Sequence, residues 1–163
     1  MTKVAMWVVC QTGPQPILVP AKRKLLSAAV VLYGAVYDAD WKSHPIRPEP
    51  IDKLMQEISC PLTAVFGELD NLIHRDNIVR MFSVLAQAKK SFDIRMYADA
   101  PHGFLNDTMP GRFRPAQADA GWNQITSFLQ SVFAGGWQKG RAIWRFDANS
   151  SLDYDFSKMK RWE

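Results

Sequence analysis

Residues 58–70 read ISCPLTAVFGELD, and this stretch decides the fold. The run from Leu62 to Phe66 is continuously apolar and of strand length, which is typical of a strand covered on both faces of a parallel sheet. Gly67 ends the run, and Asp70 follows in the next loop. Functional side chains of open α/β sheets collect where the strands end at their carboxyl edge, so Asp70 is the first candidate site residue.

A second segment of the same design follows further along the chain. The alternation of Phe92 to Tyr97 predicts a half-exposed strand, and His102 lies in the loop after it. Between the two strands, residues 76–89 have apolar side chains at helical spacing, with Asp76 as the expected N-cap. A strand, a helix and a strand predict a parallel pair whose loops meet at one edge. We therefore expect a carboxylate–imidazole hydrogen bond between Asp70 and His102.

The flanking sequence continues the alternation of strands and helices. Apolar runs at 4–9 and 28–33 predict two more strands, and the segments 51–58 and 115–133 predict helices. Residues 11–20 contain Pro14, Pro16 and Pro20 and predict a loop, with at most one helical turn over 21–26. The sequence thus predicts an α/β fold of about four mostly parallel strands flanked by helices. Residues 134–163 are expected to form a C-terminal extension that packs on the domain or on a partner.

The two candidate residues have complementary chemistry. A histidine of near-neutral pKa can take a proton from a nucleophile and return it to a leaving group. A carboxylate behind the ring fixes its tautomer and stabilises the imidazolium ion. The order of Asp70 before His102 is that of the last two members of a hydrolase triad. The structural alternative is that Asp70 completes a common turn and that His102 only packs.

The two segments also resemble a known family. ISCPLTAVFGELD at 58–70 and MYADAPHGFLND at 96–107 resemble the Asp and His segments of dienelactone hydrolases, which belong to the α/β-hydrolase superfamily. The resemblance covers about residues 25–133. It implies that residues 1–133 form a partial, truncated domain corresponding to the C-terminal half of that fold. It also implies that Asp70 and His102 match the Asp and His of the family's catalytic triad.

The nucleophile implied by the resemblance is a cysteine in a Gly-x-Cys-x-Gly turn after a buried strand. Cys10 follows the apolar run 4–9 and is the candidate nucleophile. Val8 and Thr12 stand where the family has glycines, at positions that are normally small because the turn is strained. The alternative is a buried, inert cysteine on a strand.

One substrate-binding position also departs from the family pattern. Dienelactone-type members carry an arginine four residues after the histidine, which engages the substrate carboxylate, and this chain has Asn106 there. Arg112 or Arg114 could replace that arginine, and the alternative is that both are solvent-facing. The resemblance therefore implies an ester or lactone hydrolase and leaves the dienelactone substrate open.

Composition excludes several other classes of protein. The chain has 163 residues, a scattered net charge of +4 and no apolar run of the roughly 18 residues that a bilayer requires, so we expect no membrane span and no nucleic-acid partner. No secretory signal is recognisable, which predicts a cytoplasmic location. Cys60 is expected in the core, and His44 and His74 on the surface. We expect no metal or organic cofactor.

Two functions follow from these observations. The first is a carboxylic-ester or lactone hydrolase for small molecules, with His102 as base, Asp70 as its orienting carboxylate and Cys10 as nucleophile, impaired by truncation and by the altered turn. The second is an inactive hydrolase remnant that acts as a homodimer or with a complementing N-terminal half. The apolar strand 4–9 would form an unprotected sheet edge, which predicts self-association.

Overall fold

Five parallel strands and their connecting helices make up the computed structural model, which describes residues 3–10 and 14–148. In chain order the elements are β1 (Ala5–Val9), α1 (Gln15–Lys22), β2 (Ala28–Leu32), a 3₁₀ helix (Asp38–Trp41), α2 (Ile51–Glu57), β3 (Leu62–Gly67), α3 (Arg75–Gln87), β4 (Phe92–Tyr97), α4 (Pro115–Phe133) and β5 (Ala142–Phe146). The strands lie side by side in the order β1-β2-β3-β4-β5, and each neighbouring pair is parallel. The predicted α/β class is confirmed.

Both faces of the sheet are covered by helices. On one face, α1, α2 and α3 contribute buried side chains such as Ile17, Met55 and Leu85. On the other, α4 packs through Ala118 and Ile125. Because β2 and β3 lie between these layers, all of their residues are buried, which explains their unbroken apolar sequences. Within the described residues, no helix is both long and apolar enough to cross a bilayer.

Residues 15–22 form a helix, so the loop predicted for this stretch and the turn predicted at 21–26 were wrong. Pro16 lies in the first turn, where backbone N–H groups have no acceptor within the helix, so the N–H that proline lacks is not missed there. Pro20 lies further inside the helix and removes one of its hydrogen bonds. Pro16, Ile17 and Pro20 are nevertheless buried against the sheet. Tertiary packing of the apolar face therefore outweighs local propensity.

Three further predictions need correction around β4. The strand is buried rather than half exposed, because β5 pairs along its outer edge and helices cover its faces. The extra strand β5 lies inside the predicted extension 134–163, which makes five strands in the described sheet instead of about four. Helix α3 begins at Arg75 with His74 as its N-cap, so Asp76 lies in the first turn. Residues 149–163 lie outside the described part.

Strand β1 lies at one edge of the described sheet and pairs with β2 alone among the described strands. Val4, Trp7 and Val9 are exposed along this edge, and 57% of Trp7 is accessible. The Trp7 ring meets Trp122 of α4 at 5.9 Å between centroids, in an edge-to-face arrangement. This edge is thus held less completely than the centre of the sheet.

Candidate active site

Cys10, His102 and Asp70 form a hydrogen-bonded row at the carboxyl edge of the sheet. The Cys10 Sγ lies 2.9 Å from His102 Nε2, and His102 Nδ1 lies 2.8 Å from Asp70 Oδ2. The predicted carboxylate–imidazole contact is confirmed. Because an ionised carboxylate can only accept a hydrogen bond, Nδ1 carries the proton shared with Asp70, and Nε2 faces the sulfur.

Asp70 is oriented by its own loop. Its Oδ1 accepts hydrogen bonds from the backbone N–H groups of Leu72, at 2.8 Å, and Ile73, at 2.9 Å. The other oxygen, Oδ2, is left for His102. The Asp70 side chain is fully buried, so both of its oxygens are shielded from water. The direction of the carboxylate is therefore fixed before the imidazole is considered.

The loops after β3 and β4 are joined backbone to backbone. Glu68 N–H donates to Tyr97 O and Leu69 N–H donates to Ala100 O, each at 2.9 Å. This close approach needs a glycine at position 67, because a Cβ there would lie 2.1 Å from Ala100 O. The Gly-x-x-Asp pattern of the sequence is thus a packing requirement that also sets the distance between Asp70 and His102.

Burial and hydrogen bonding act on His102 in opposite directions. Burial would lower its pKa, but hydrogen bonds to Asp70 and Cys10, together with the charges of those groups, outweigh it and raise the pKa above its usual value of 6.5. The ring also meets Tyr33 edge to face, at 5.2 Å between centroids. The surroundings of His102 therefore favour its protonated form, the species that an imidazolium–thiolate pair requires.

The backbone of Cys10 bends sharply out of β1. Cys10 has a φ of +59°, a left-handed conformation that residues other than glycine rarely adopt, and it follows Val9, the last residue of the strand. Such strain is typical of a nucleophile turn between a strand and a helix. Cys10 is half-buried and lies beside His102, not within β1 as the alternative assumed. Gln11, Thr12 and Gly13 lie outside the described residues.

Sequence reasoning missed two tyrosines next to the cysteine. Burial raises the pKa of Tyr33 to about 12, with a second contribution from Cys10. Burial is also the largest cause that raises the pKa of Tyr37, and the charge of Cys10 adds to it. Both tyrosines follow β2, the strand between β1 and β3, so the carboxyl-edge rule could have found them.

The remaining cysteine and histidines lie away from this row. Cys60 is buried before β3, at the opposite end of the strand from Asp70, and burial raises its pKa to about 12. Its prediction as a core residue is confirmed. His44 and His74 are exposed, as predicted.

The two arginines in the loop after His102 make different contacts. Arg114 donates from Nε to Asp99 O at 3.2 Å and so serves the loop backbone. Arg112 lies alongside Gly103, the residue after His102; a Cβ at Gly103 would meet its side chain at 3.7 Å. Asn106 is exposed, and its Oδ1 accepts a hydrogen bond from Thr108 N–H. Arg112 is thus the arginine placed beside the candidate site.

The sequence of this chain is similar to those of known proteins. Residues 2–133 match the model of the dienelactone hydrolase family. The chain belongs to that family. A relative from Escherichia coli O157:H7, provisionally named carboxymethylenebutenolidase, is 28% identical over 121 residues, which cover 74% of this chain and 43% of the relative. A relative from Saccharolobus solfataricus with the same provisional name is 26% identical and covers 66% and 36%, respectively.

Solved structures show the same fold. A provisionally named dienelactone hydrolase from Klebsiella pneumoniae superposes with a TM-score of 0.70 at 22% identity, over 77% of this chain and 51% of that one. An acylaminoacyl peptidase from Pyrococcus horikoshii superposes with a TM-score of 0.63 at 15% identity, over 80% of this chain and 24% of that one. This dienelactone hydrolase family member spans about half the length of its curated relatives or less.

Proposed function

We propose that this chain carries the reactive centre of a dienelactone hydrolase-like hydrolase of carboxylic esters or lactones. Cys10 is the nucleophile, His102 the general base and acid, and Asp70 the carboxylate that orients His102. The observation that carries the proposal is the continuous row from sulfur to imidazole to carboxylate, with contacts of 2.9 and 2.8 Å.

The proposed reaction has two halves. The Cys10 proton passes to His102 Nε2, the thiolate attacks the substrate carbonyl carbon, and the carbon–oxygen bond to the leaving group breaks while His102 returns the proton to the leaving oxygen. A water molecule then attacks the thioester, with His102 taking its proton. The thiol leaves reprotonated and the acid is released. Asp70 stays ionised and stabilises the imidazolium in both halves.

We expect this chain to turn over slowly. Val8 stands where the family has a small residue in the turn, and its side chain is half-buried beside the bend at Cys10. A bulky residue there restricts the space in which the strained turn can place the sulfur against a substrate. Small activated esters or lactones are therefore the substrates of choice for a first test. Because the guanidinium of Arg112 can bind a carboxylate, an ester that carries a carboxylate is the second substrate to test.

The test is hydrolysis of p-nitrophenyl acetate by the purified chain and by Cys10→Ala, His102→Gln and Cys60→Ala. We expect both substitutions in the row to abolish the enzymatic rate, because each removes a group that the reaction needs. Cys60→Ala is the matched control, since it removes a thiol at the other end of the sheet. Mass spectrometry of the quenched reaction should find the acetyl group on Cys10.

Three results bear on the assignment of roles. Turnover retained in both Cys10→Ala and His102→Gln would contradict the proposal. Turnover lost in His102→Gln but kept in Cys10→Ala would point to another nucleophile. If the unmodified chain hydrolyses the ester rapidly and both variants lose this activity, the proposed roles stand and the expectation of slow hydrolysis is wrong.

The second candidate function is an assembly module without activity. The observation in its favour is β1, an edge strand among the described residues whose Val4, Trp7 and Val9 are exposed. We propose that two copies of this chain pair along β1 about a two-fold axis, which would cover both edges. Light scattering coupled to size exclusion tests this. A monomer in solution would contradict the proposed dimer. If the monomer then binds an added N-terminal fragment of a relative, this would support the alternative of a complementing N-terminal half.

A further inference from the structure

An open pocket of about 500 Å³ lies at the amino edge of the sheet, at the opposite end of the strands from the candidate active site. Its walls come from the segments that lead into three neighbouring strands. These are residues 58–61 before β3, residues 88–91 before β4, and Trp137 and Lys139 before β5. None of the candidate catalytic residues lines this pocket.

The three walls are hydrogen-bonded to one another. Leu62 N–H donates to Ser91 O at 3.0 Å, which joins the segments before β3 and β4. Gly140 N–H donates to Ser91 Oγ at 2.7 Å, which joins the segment before β5. Lys90 Nζ donates to Ile58 O at 3.1 Å, so its ammonium group is fixed at the pocket wall. The pocket is therefore formed before any ligand binds.

Lysines supply the charge of this pocket. Lys89, Lys90 and Lys139 line it, and no aspartate or glutamate does. Within the described part of the chain, none of these three lysines forms an ion pair with a carboxylate. Lys22 is the contrast, because its ammonium group lies 3.1 Å from Glu57 Oε2. The pocket thus has a positive potential that attracts anions.

An apolar wall lies beside the lysines. Ile58, Cys60 and the indole of Trp137 line the pocket with them. The Trp137 ring is held edge to face against Phe128, at 4.8 Å between centroids. Its Nε1 is buried and has no hydrogen-bond partner among the described residues, although buried polar groups normally have one. The pocket therefore combines positive charge, an apolar surface and an indole N–H whose hydrogen bond is not made within the chain.

The end of helix α3 explains part of this arrangement. Lys89 and Lys90 directly follow the helix, and cations near the C-terminus of a helix stabilise it. That reason does not apply to Lys139, which arrives from the segment after α4. An adjoining pocket shares Lys90 and adds Lys24 and one carboxylate, Glu57, which Lys22 already neutralises. The lysines thus converge on one pocket from separate segments of the chain.

We propose that this pocket binds a phosphate monoester that carries an apolar group. Lysine ammonium groups are compact point charges that bind phosphate, and a dianion can use more than one of them. The phosphate lies among Lys89, Lys90 and Lys139, and the apolar group lies against Ile58 and Trp137. No bond forms or breaks in this pocket. Binding here is independent of the proposed hydrolysis, because Cys10 and His102 take no part in it.

The experiment is calorimetric titration of the purified chain with phenyl phosphate, which is not a carboxylic ester. The double variant Lys89→Gln, Lys139→Gln removes two of the charges and keeps Lys90, whose ammonium group also bonds to Ile58 O. We expect its Kd to be at least about tenfold higher, and we expect added salt to weaken binding to the unmodified chain. The matched control is Lys42→Gln, Lys53→Gln, which removes two exposed lysines elsewhere and should leave the Kd unchanged.

Several results would overturn the inference. One is the absence of binding at millimolar phenyl phosphate, and another is the same Kd in the two double variants. Benzoate that binds as tightly as phenyl phosphate would contradict the phosphate group, and inorganic phosphate that binds as tightly would contradict the apolar contact. Binding that Arg112→Gln abolishes would place the ligand at the candidate active site instead. Circular dichroism establishes that each variant is folded.

A second measurement locates the ligand without changing the lysines. In the ¹⁵N-labelled chain, the indole N–H resonance of Trp137 should shift as phenyl phosphate saturates the pocket. The indole resonance of Trp7, at the far edge of the sheet, should stay in place. Trp137→Phe and Trp7→Phe assign the two resonances. A Trp137 resonance that does not move at saturation would overturn the inference.

Discussion

The loops after β3 and β4 and the edge strand β1 supply the two sides of the same candidate site, but they are built differently. Asp70 and His102 lie on loops that are bonded to each other through their backbones, and both side chains are buried. Cys10 lies after a strand that pairs on one side among the described residues, and it is half-buried. Asp70 and His102 are thus held by many contacts, whereas Cys10, the proposed nucleophile, depends on the left-handed bend at its own backbone.

The two regions should therefore tolerate substitutions to different degrees. In the β3–β4 region the candidate site residues Asp70 and His102 are themselves buried and hydrogen-bonded, so a substitution there affects the stability of the fold as well as the geometry of the site. Around β1 the apolar side chains are partly exposed, and a substitution loses less burial.

The largest loss of stability should come from Gly67→Ala. The new Cβ would lie 2.1 Å from Ala100 O, which is backbone and cannot rotate away, so the two loops must separate. We expect a loss of about 4 kcal/mol in the free energy of unfolding, above the usual cost of overpacking. Urea denaturation measures it. Gly111→Ala is the control, with no atom within 4 Å of the new Cβ and a change of less than about 0.5 kcal/mol expected. Equal losses for both would remove the packing explanation for Gly67.

The next largest effect should come from Asp70→Ala. The substitution leaves the N–H groups of Leu72 and Ile73 and the Nδ1 of His102 without their acceptor. We expect a loss of about 3 kcal/mol, and a smaller loss for Asp70→Asn, whose Oδ1 can still accept from the two N–H groups. Thermal unfolding of both variants checks this order. If the Asn variant were the less stable of the two, the buried charge rather than the N–H acceptor would dominate.

A pH-dependent effect should distinguish His102 from the rest of the site. Its pKa is raised in the folded state, so its stabilising contribution is complete below the unfolded value of 6.5 and is lost as the pH rises through the folded pKa. The difference in melting temperature between the unmodified chain and His102→Gln should therefore be larger at about pH 6 than at about pH 8.5. A larger difference at the higher pH would contradict the raised pKa.

The smallest effect should be found at the β1 edge. Trp7 and Trp122 meet edge to face at 5.9 Å, and both are exposed by more than a third. A double-mutant cycle with Trp7→Ala and Trp122→Ala should give a coupling energy of about 0.5–1 kcal/mol in the free energy of unfolding. A coupling as large as the Asp70→Ala loss would show that β1 is held as firmly as the β3–β4 region and would remove the contrast.

Much of the fold could be predicted because its signals are local. The unbroken apolar runs of β2 and β3 and the helical spacing in α3 each lie within a few residues, and Gly67 and Asp70 sit at a fixed interval after their strand. The helical state of residues 15–22 could not be read locally, because Pro16 and Pro20 argue against it and packing against the sheet decides it. The burial of β4 likewise depended on β5, which lies about fifty residues away in the chain.

For the site, the sequence alone determined the residue types and their order: Cys10, then Asp70, then His102, each at the end of a strand. Tertiary structure decided the left-handed bend that brings the Cys10 sulfur to within 2.9 Å of His102 Nε2, and the loop contacts that bring His102 Nδ1 to within 2.8 Å of Asp70 Oδ2. The physical reason is that strand order and loop contacts set distances between residues far apart in the chain. A sequence pattern records which groups can react, and only the packed sheet brings them within reach.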